Sequence, residues 1–357
     1  MPKSELDLSR RALVTSGGAL LGATLLPKGL RAQGAAPELS TLRSTSKSWL
    51  WAAEDYANAA GFFTQAGVKV TSNASNRGTN IAALQGGGVD IVLGDPGEAS
   101  RARSQNLAIK TFVSTVNRYA SHVVLKKDLL AKAGVDETSP ADKKIAMLKG
   151  LKLGTTGPGA APDALFRYLA SQGGLNPERD MQLVTLQGGG PGMLAALQQN
   201  AIDGFCLSSP TADLAVQRQS CGYLFQMALN PPPFLAEYQY IIASAGEDTI
   251  KTKRDALVRY AKGIALALRS ISAEQDKFKA WAKDWFEGMD PDIFESAYAN
   301  NSRIYFADPT PKESLFAKNL EFISTVNKLM GAEAMPATVT FQAMVDPTIA
   351  QDAMKGL

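Results

Sequence analysis

Two segments of the chain repeat the same residue pattern 113 positions apart, and this repeat limits the folds that are open to it. The matches are Ala82-Ala83-Leu84-Gln85 with Ala195-Ala196-Leu197-Gln198, and Asp90 with Asp203. In each copy an apolar strand follows and ends in a turn with proline, at Pro96 and Pro210. Because helix, break, strand and turn recur in register, we interpret the match as a duplicated unit rather than a coincidence between two ordinary βα units.

Strand-like runs alternate with helical patterns through most of the chain, which predicts an α/β fold with parallel strands and helices on both faces. Strands are predicted at 39–44, 68–72, 89–93, 182–186 and 202–207. Two longer runs, 111–125 and 234–243, are predicted to cross between two lobes and to form a two-strand hinge that permits closure. After residue 247 the pattern is mostly helical, with one strand-like run at 338–341.

The expected domain organisation follows from these patterns. Lobe 1 is assigned to residues 35–116 and 240–357, including the C-terminal helices, and lobe 2 to residues 117–239. Residues 1–34 are interpreted as an export signal, because Arg10 and Arg11 precede a weakly apolar run and a polar segment with a cleavage site. The alternative is a cytosolic tail with a chance arginine pair. We expect export to the periplasm by the twin-arginine route, without a lipid anchor.

The net charge of +3 comes from the predicted signal, where five basic residues face two acidic ones. The remainder is formally neutral, with 32 basic and 32 acidic residues. This balance argues against nucleic acid or an anionic membrane as a partner.

The stretch Leu151 to Leu169 is predicted to be a strand, a Gly/Pro-rich turn and a helix whose start is marked by Pro162 and Asp163. A turn so poor in side chains can present backbone N–H groups to an anion or a polar ligand. It can equally be a tight turn that binds nothing.

Residues with catalytic potential are few. The single histidine, His122, lies in a predicted crossing strand, and no metal-binding spacing, Walker loop or nucleophile elbow is present. Cys206 and Cys221 could form a disulfide in an oxidising compartment or remain two buried thiols. We therefore expect no enzyme activity and no cofactor.

The chain resembles the solute-binding proteins of ABC importers, in the branch that includes nitrate, sulfonate, taurine and pyrimidine-precursor binders (SsuA/NMT1-like). The order of four segments carries the resemblance: Ala60-Gly61-Phe62-Phe63, Val89-Asp90 with Gly94-Asp95-Pro96, Leu148 to Gly154, and Ile202-Asp203 with Ser209-Pro210. The resemblance implies a bilobal type II periplasmic-binding-protein fold with a ligand clamped at the hinge.

Positions carried over from this resemblance give a set of expected ligand contacts. They are Ser46, Lys47, Thr79, Asn80, Gly94, Asp95, Asn117, Arg118, Thr156, Gly157, Gly159, Ala160, Ser208, Ser209 and Pro210. Arg118 is the candidate for bidentate pairing with an anionic group, with solvent-facing charge as the alternative for it and for Lys47. Ser208 and Ser209 depart from the aromatic residue and Asp of many sulfonate binders, which argues against copying a specific ligand.

The function implied by the resemblance is delivery of a small polar, anionic organic solute to a membrane permease and its ATPase by a monomeric protein. Two alternatives are an enzyme of the pyrimidine-precursor type on the same fold and a sensor that presents its ligand to a receptor.

Overall fold

The computed structural model describes residues 35–75 and 80–357. The predicted export signal and Thr79 lie outside these residues. No helix of the described part is long and apolar enough to cross a membrane.

Ten strands alternate with helices along the chain. The strands are β1 (Glu38–Arg43), β2 (Lys69–Ala74), β3 (Ile91–Gly94), β4 (Ile109–Val116), β5 (Ser121–Lys126), β6 (Lys152–Thr155), β7 (Gln182–Thr185), β8 (Gly204–Ser208), β9 (Cys221–Phe225) and β10 (Ile241–Gly246). The helices are α1 (Ala52–Ala59), α2 (Phe62–Ala66), α3 (Asn80–Gln85), α4 (Pro96–Ser104), α5 (Lys127–Ala133), α6 (Ala141–Ala146), α7 (Ala161–Gln172), α8 (Gly189–Gln198), α9 (Thr211–Arg218), α10 (Glu247–Thr252), α11 (Arg254–Ala273), α12 (Gln275–Trp285), α13 (Pro291–Asn301), α14 (Glu313–Leu329), α15 (Phe341–Met344) and α16 (Thr348–Met354).

The strands form two five-stranded sheets with the same plan. The first has the order β2-β1-β3-β10-β4 and the second the order β7-β6-β8-β5-β9. In each sheet the first three strands are parallel, and the fourth, β10 or β5, runs antiparallel to both of its neighbours. The α/β bilobal fold is therefore confirmed, but the sheets are mixed rather than wholly parallel, because β10 and β5 run against their neighbours.

The two matched aspartates of the repeat have the same structural role. Asp90 donates its N–H to the carbonyl of Ser40 and accepts the N–H of Ser40 on its carboxylate, at 3.0 Å each. Asp203 makes the same pair of bonds with Lys152, at 2.7 and 2.9 Å. Ser40 lies in β1 and Lys152 in β6, so each aspartate joins the start of the third strand in its sheet to the second strand beside it. The repeated Asp therefore stabilises the pairing of two strands in each sheet, which explains why it recurs in both halves.

The aromatic residues of the C-terminal helices form a core around Trp49, which is fully buried just after β1. The rings of Phe278, Phe286, Phe294 and Tyr298 lie with their centroids 5.0 to 6.3 Å from that of Trp49. Such edge and tilted contacts add to the stability gained by burial. Helices α12 and α13 are thereby fixed to the loop that follows β1.

The fold decides one alternative that the sequence left open and corrects one prediction. Cys206 and Cys221 are free and buried, and they lie in β8 and β9, with β5 between them. Strands separated by one intervening strand are about 9.6 Å apart, beyond the Cα separation that a disulfide allows. The pattern at 338–341 suggested a strand in the tail, but residues 338–340 lie in no strand or helix. The helical turn α15 begins at Phe341, where Thr340 caps it by accepting the N–H of Ala343 at 3.2 Å.

Candidate functional site

A narrow cavity lies where the two sheets, the chain crossings and α14 meet. Its walls are Asp95, Gly97, Arg101, Tyr119, Gly159, Ala161, Ala164, Tyr238, Tyr240, Phe322, Ile323, Val326 and Asn327. The space open to the centre of a water molecule is about 10 Å³, roughly what a single water requires. In this arrangement the space between these walls is therefore narrow.

The charged wall comes from α4, which begins directly after β3. Asp95 caps this helix, since its Oδ1 accepts the N–H of Gly97 at 2.6 Å and that of Glu98 at 3.2 Å. Arg101 lies one turn further along and reaches back over Gly97. A Cβ on Gly97 would lie 2.8 Å from Asp95 Oδ1 and 3.1 Å from Arg101 Nη1, so glycine gives both charged groups the room to approach.

Burial changes the protonation of the two acids on this wall. Desolvation raises the pKa of Asp95, against the opposing effect of Arg101 and of the capped N–H groups. Desolvation and the charge of Asp95 raise the pKa of Glu98 to about 7. Among the described residues the side chain of Arg101 has no hydrogen bond and no direct ion pair, although its charge acts on Asp95 and Glu98. Its guanidinium therefore keeps donors that a solute could use.

The glycine-rich turn between β6 and α7 forms the opposite wall. Gly159 has φ +72°, and a Cβ there would lie 4.0 Å from Arg101 Nη1 and 3.6 Å from Met330 Cε. Its N–H donates to the buried carboxylate of Asp163 at 2.9 Å, and the N–H of Ala160 donates to Gly157 O at 3.2 Å. These two amides are already bonded within the turn, which corrects the expectation that they bind a ligand.

Three tyrosines on the crossings form the floor of the cavity. The ring centroid of Tyr119 lies 4.4 Å from that of Tyr240 and 5.2 Å from that of Tyr238. The Tyr119 hydroxyl donates to Ala161 O at 2.5 Å, and the Tyr240 hydroxyl bonds to Ser121 Oγ at 2.6 Å. These two hydroxyls therefore already have partners within the protein.

Helix α14 closes the remaining side. Phe322 packs on Tyr168 of α7 at 4.5 Å between ring centroids and on Tyr238 at 5.2 Å. Asn319 donates to Gln239 O at 2.7 Å, which ties the helix to the return crossing. A C-terminal helix therefore contacts lobe 2 and the hinge at the site.

Of the predicted ligand residues, Asp95 and Gly159 line the cavity, and Gly94, Thr156, Gly157 and Ala160 lie next to them in the chain. Ser46 and Lys47, in the loop after β1, do not line the cavity and have other partners. The carbonyl of Ser46 accepts from Arg43 at 2.8 Å, and Lys47 Nζ donates to Trp285 O at 2.5 Å. Both residues are exposed.

Arg118, the predicted anion ligand, is bound to the protein itself. Its Nη1 donates to Ala228 O at 3.1 Å and to Leu229 O at 3.5 Å. The neighbouring Asn117 is buried and accepts from Ser114 Oγ at 2.6 Å. The pair therefore braces the two crossings outside the cavity lining. Asn80 likewise has a local partner, since its Oδ1 accepts from Ser75 Oγ at 2.9 Å.

The serines that end β8 join the two lobes directly. Ser48, in the loop after β1, lies 3.4 Å from Ser208 Oγ and donates to Ser209 O at 3.5 Å. Pro210 follows in a cis peptide with Ser209. These residues thus contribute to the contact between the lobes, while the cavity lies beside them.

The sequence analysis missed Arg101, the tyrosines and α14. Arg101 carried one signal: it follows the capping Asp95 by six residues on the predicted start of a helix. The tyrosines and Phe322 come from three distant parts of the chain, and no local spacing links them.

Comparison with known proteins identifies the family. A model of the NMT1-like family matches residues 55–282. The nitrate/nitrite binding protein NrtA of Nostoc is 30% identical over 192 residues, 51% of this chain and 40% of that protein. The nitrate import ATP-binding protein NrtC of Synechocystis is 30% identical over 117 residues, 32% of this chain and 17% of that protein. This chain therefore spans less than half the length of either curated relative.

The fold agrees with that of a solved relative. The periplasmic nitrate-binding protein NrtA from Synechocystis superposes with a TM-score of 0.68 and 16% identity, over 90% of this chain and 89% of the other. With a family model matched over most of its length and the same fold in a solved protein, this chain belongs to the NMT1-like family.

Proposed function

We propose that the protein is the solute-binding component of an ABC importer and that it holds a small polar solute between its lobes. Lobe 1 is taken as residues 35–116 and 240–357 and lobe 2 as 117–239, with the solute in the cavity between α4 and the glycine-rich turn. The partners are a membrane permease and its ATPase, and the protein acts as a monomer. The names of the relatives, a nitrate-binding protein and an import ATPase, support this proposal.

One observation carries the proposal: a guanidinium without a hydrogen bond lies on one side of a narrow cavity, opposite the backbone of the glycine-rich turn on the other side. Arg101 belongs to α4 of lobe 1, and Gly159 lies opposite it in lobe 2. Arg101 is half-buried and has no direct ion pair among the described residues, so a solute that binds its guanidinium would add a contact between the two sides of the cavity.

The enzyme alternative lacks support from the cavity. Within the part of the chain that the structure describes, the cavity walls include no Cys, His or Ser. His122 and Cys206 are fully buried away from these walls. We therefore propose binding without turnover.

Binding can be tested by thermal-shift screening and calorimetry of the purified protein with nitrate, sulfonates, carboxylates, amino acids and pyrimidines. A solute at a hundredfold excess over its Kd should raise stability by about 2.7 kcal/mol. Arg101→Gln should abolish binding of acid-bearing solutes. Lys47→Gln, which alters a cation outside the cavity, is the matched control and should bind normally. Turnover of a solute, or unchanged binding by Arg101→Gln, would contradict the proposal.

Export is proposed separately, on the basis of Arg10 and Arg11. Replacing both arginines with lysine should retain the protein in the cytoplasm of a bacterium with an active twin-arginine pathway. Normal periplasmic recovery of that variant would exclude this route.

A further inference from the structure

A methionine lies next to the guanidinium of Arg101, on the glycine-rich turn. Met330 caps the C-terminal end of α14 and is half-buried. A Cβ on Gly159 would lie 3.6 Å from Met330 Cε, 3.8 Å from its Sδ and 4.0 Å from Arg101 Nη1. The thioether and the guanidinium therefore approach the same point on the turn, one from the end of α14 and the other from α4.

The position of Met330 combines access from solvent with an unused hydrogen-bond donor close by. Four methionines of the described chain are buried and four besides Met330 are partly exposed. The buried ones are Met181, Met193, Met227 and Met344, and the others are Met147, Met289, Met335 and Met354. Oxidation of methionine depends on exposure of the sulfur, so Met330 belongs to the group that a small oxidant can reach.

The reaction with a peroxide is simple and balanced. A lone pair of the sulfur attacks one oxygen of hydrogen peroxide, the O–O bond breaks, and a proton passes to the leaving oxygen, which departs as water. The sulfur loses two electrons and the peroxide gains them. The product, methionine sulfoxide, is polar but uncharged, and its oxygen is a strong acceptor where the thioether was a weak one.

We propose that Met330 is an oxidation site and that its sulfoxide oxygen accepts a hydrogen bond from the guanidinium of Arg101. The amides of Gly159 and Ala160 already donate within the turn, so they do not compete for the new oxygen. The guanidinium has five N–H groups, and in the described chain none of them has a hydrogen-bond partner. The three rotatable bonds of the methionine side chain allow the oxygen to turn toward it.

An uncharged acceptor suits this place better than an anion would. The carboxylate of Asp95 lies close to Arg101, because a Cβ on Gly97 would be 2.8 Å from Asp95 Oδ1 and 3.1 Å from Arg101 Nη1. A sulfoxide has no net charge that the carboxylate repels, yet it gains a charge-assisted hydrogen bond, which is stronger than one between neutral groups.

Oxidation at Met330 would thus reach the proposed solute site. The sulfoxide would occupy donors of Arg101 that a solute could use, and a methionine sulfoxide reductase would release them again. This consequence rests on the proposed binding function. The oxidation of Met330 and its bond to Arg101 do not, and they are tested without a solute.

The first measurement follows oxidation of each methionine by mass spectrometry of the purified protein during treatment with hydrogen peroxide. We expect Met330 to be oxidised at least tenfold faster than Met193 and Met227, which are fully buried, and at a rate similar to that of the partly exposed Met289. Oxidation of Met330 as slow as that of Met193 would overturn the proposal.

The second measurement tests the bond to Arg101 by thermal unfolding before and after peroxide. Met330→Leu has a similar volume and no sulfur, so its change in Tm reports oxidation of the other methionines and is subtracted in each background. Arg101→Leu removes every donor of that side chain. It should fold, because Arg101 is half-buried and its side chain makes no hydrogen bond in the described chain.

We expect the oxidation of Met330 to lower Tm at least twice as much in Arg101→Leu as in the wild type, because the sulfoxide then has no guanidinium to bind. Lys47→Gln, which alters a cation outside the cavity, should respond as the wild type does. An equal loss of Tm in the wild type and in Arg101→Leu would refute the bond. Neither result changes the proposed binding function, which fails only if the screened solutes do not bind.

Discussion

A buried aspartate joins lobe 2 to the helical part of lobe 1, and its removal should weaken both the fold and lobe closure. Asp213 lies on α9 with none of its surface exposed. Its Oδ1 accepts from Tyr223 of β9 at 2.8 Å and, across the lobes, from Ser296 at 3.1 Å and Asn300 Nδ2 at 2.8 Å on α13. Because α13 packs on Trp49 of lobe 1, this carboxylate holds the two lobes together through hydrogen bonds.

The expected magnitude follows from the number of donors and from the cost of the buried charge. A hydrogen bond to a charged group contributes about 1.5–3 kcal/mol, and three donors lose their acceptor in Asp213→Ala. Part of this loss is offset, because the carboxylate is buried and its Oδ2 has no hydrogen-bond partner among the described residues. We therefore expect Asp213→Ala to lower the free energy of unfolding by about 2–4 kcal/mol and Asp213→Asn, which keeps an acceptor, by about half as much.

Urea unfolding followed by circular dichroism measures this difference, with Arg218→Gln as the matched control. Arg218 links the same two helices through Asp290 and Asp292, at 3.0 and 2.9 Å, but these groups are exposed. Such surface ion pairs contribute about 0–1 kcal/mol. If Asp213→Ala is no more destabilising than Arg218→Gln, the hydrogen bonds to the Asp213 carboxylate do not stabilise the fold. Solute affinity should fall with Asp213→Ala, since closure would lose a contact.

Three further predictions concern pH and packing. Burial lowers the pKa of His122 from 6.5 to about 4. The stability that neutral His122 provides is therefore fully present above pH 6.5 and is lost as the pH falls toward 4. Over this range the free energy of unfolding of the wild type, measured with urea, should fall by up to about 1.4 kcal/mol per pH unit relative to that of His122→Leu. The stability that depends on Glu98 changes with pH in the opposite direction, because its pKa is raised from 4.5 to about 7 and this stability is lost as the pH rises through 7. Glu98→Gln should therefore be more stable than the wild type at pH 8 but not at pH 4. An equal difference in the free energy of unfolding at both pH values would refute the shift. A Cβ on Gly263 would lie 2.3 Å from Phe63 Cδ1, so Gly263→Ala should lower the free energy of unfolding by about 1–3 kcal/mol, whereas Gly86→Ala, with no contact closer than 3.5 Å, should not.

The sequence predicted the fold well because its main signals are local and periodic. The repeat at 113 residues corresponds to two sheets with the same strand order, and Pro162 lies in the first turn of α7 as expected. The antiparallel direction of strands β5 and β10 could not be predicted from the sequence. Each lies in a long apolar run whose pattern indicates a strand but contains nothing about its direction or its sheet.

The candidate site was only partly predictable, for a geometric reason. The strand ends put Asp95 and Gly159 at the cavity, because the carboxyl ends of parallel strands meet at one edge of the sheet. Which cation faces that edge depends on the rotation of helices and crossings, and the sequence favoured Arg118 where the structure places Arg101. Phe322 reaches the cavity from α14, more than two hundred residues after Asp95.

The two walls of the cavity differ in a way that predicts an order of events in binding. The charged groups lie on α4 of lobe 1, whereas the turn of lobe 2 has the amides of Gly159 and Ala160 already bonded. A solute should therefore dock on lobe 1 and be covered by lobe 2. A side chain at Gly159 would strain a backbone with φ +72° and press toward Met330. Gly159→Ala should therefore hinder the closure of lobe 2 over the solute and leave the first binding of the solute to lobe 1 unchanged.

This order can be tested by stopped-flow fluorescence with any solute that binds. Gly159→Ala should raise the dissociation rate constant severalfold and leave the association rate constant nearly unchanged. Gly174→Ala is the control, because Gly174 has a similar φ of +69° but no neighbour within 4 Å of its Cβ position and lies at the far end of α7. A slower association with unchanged dissociation would mean that lobe 2 meets the solute first. If both variants behaved alike, strain in the turn would have no part in closure.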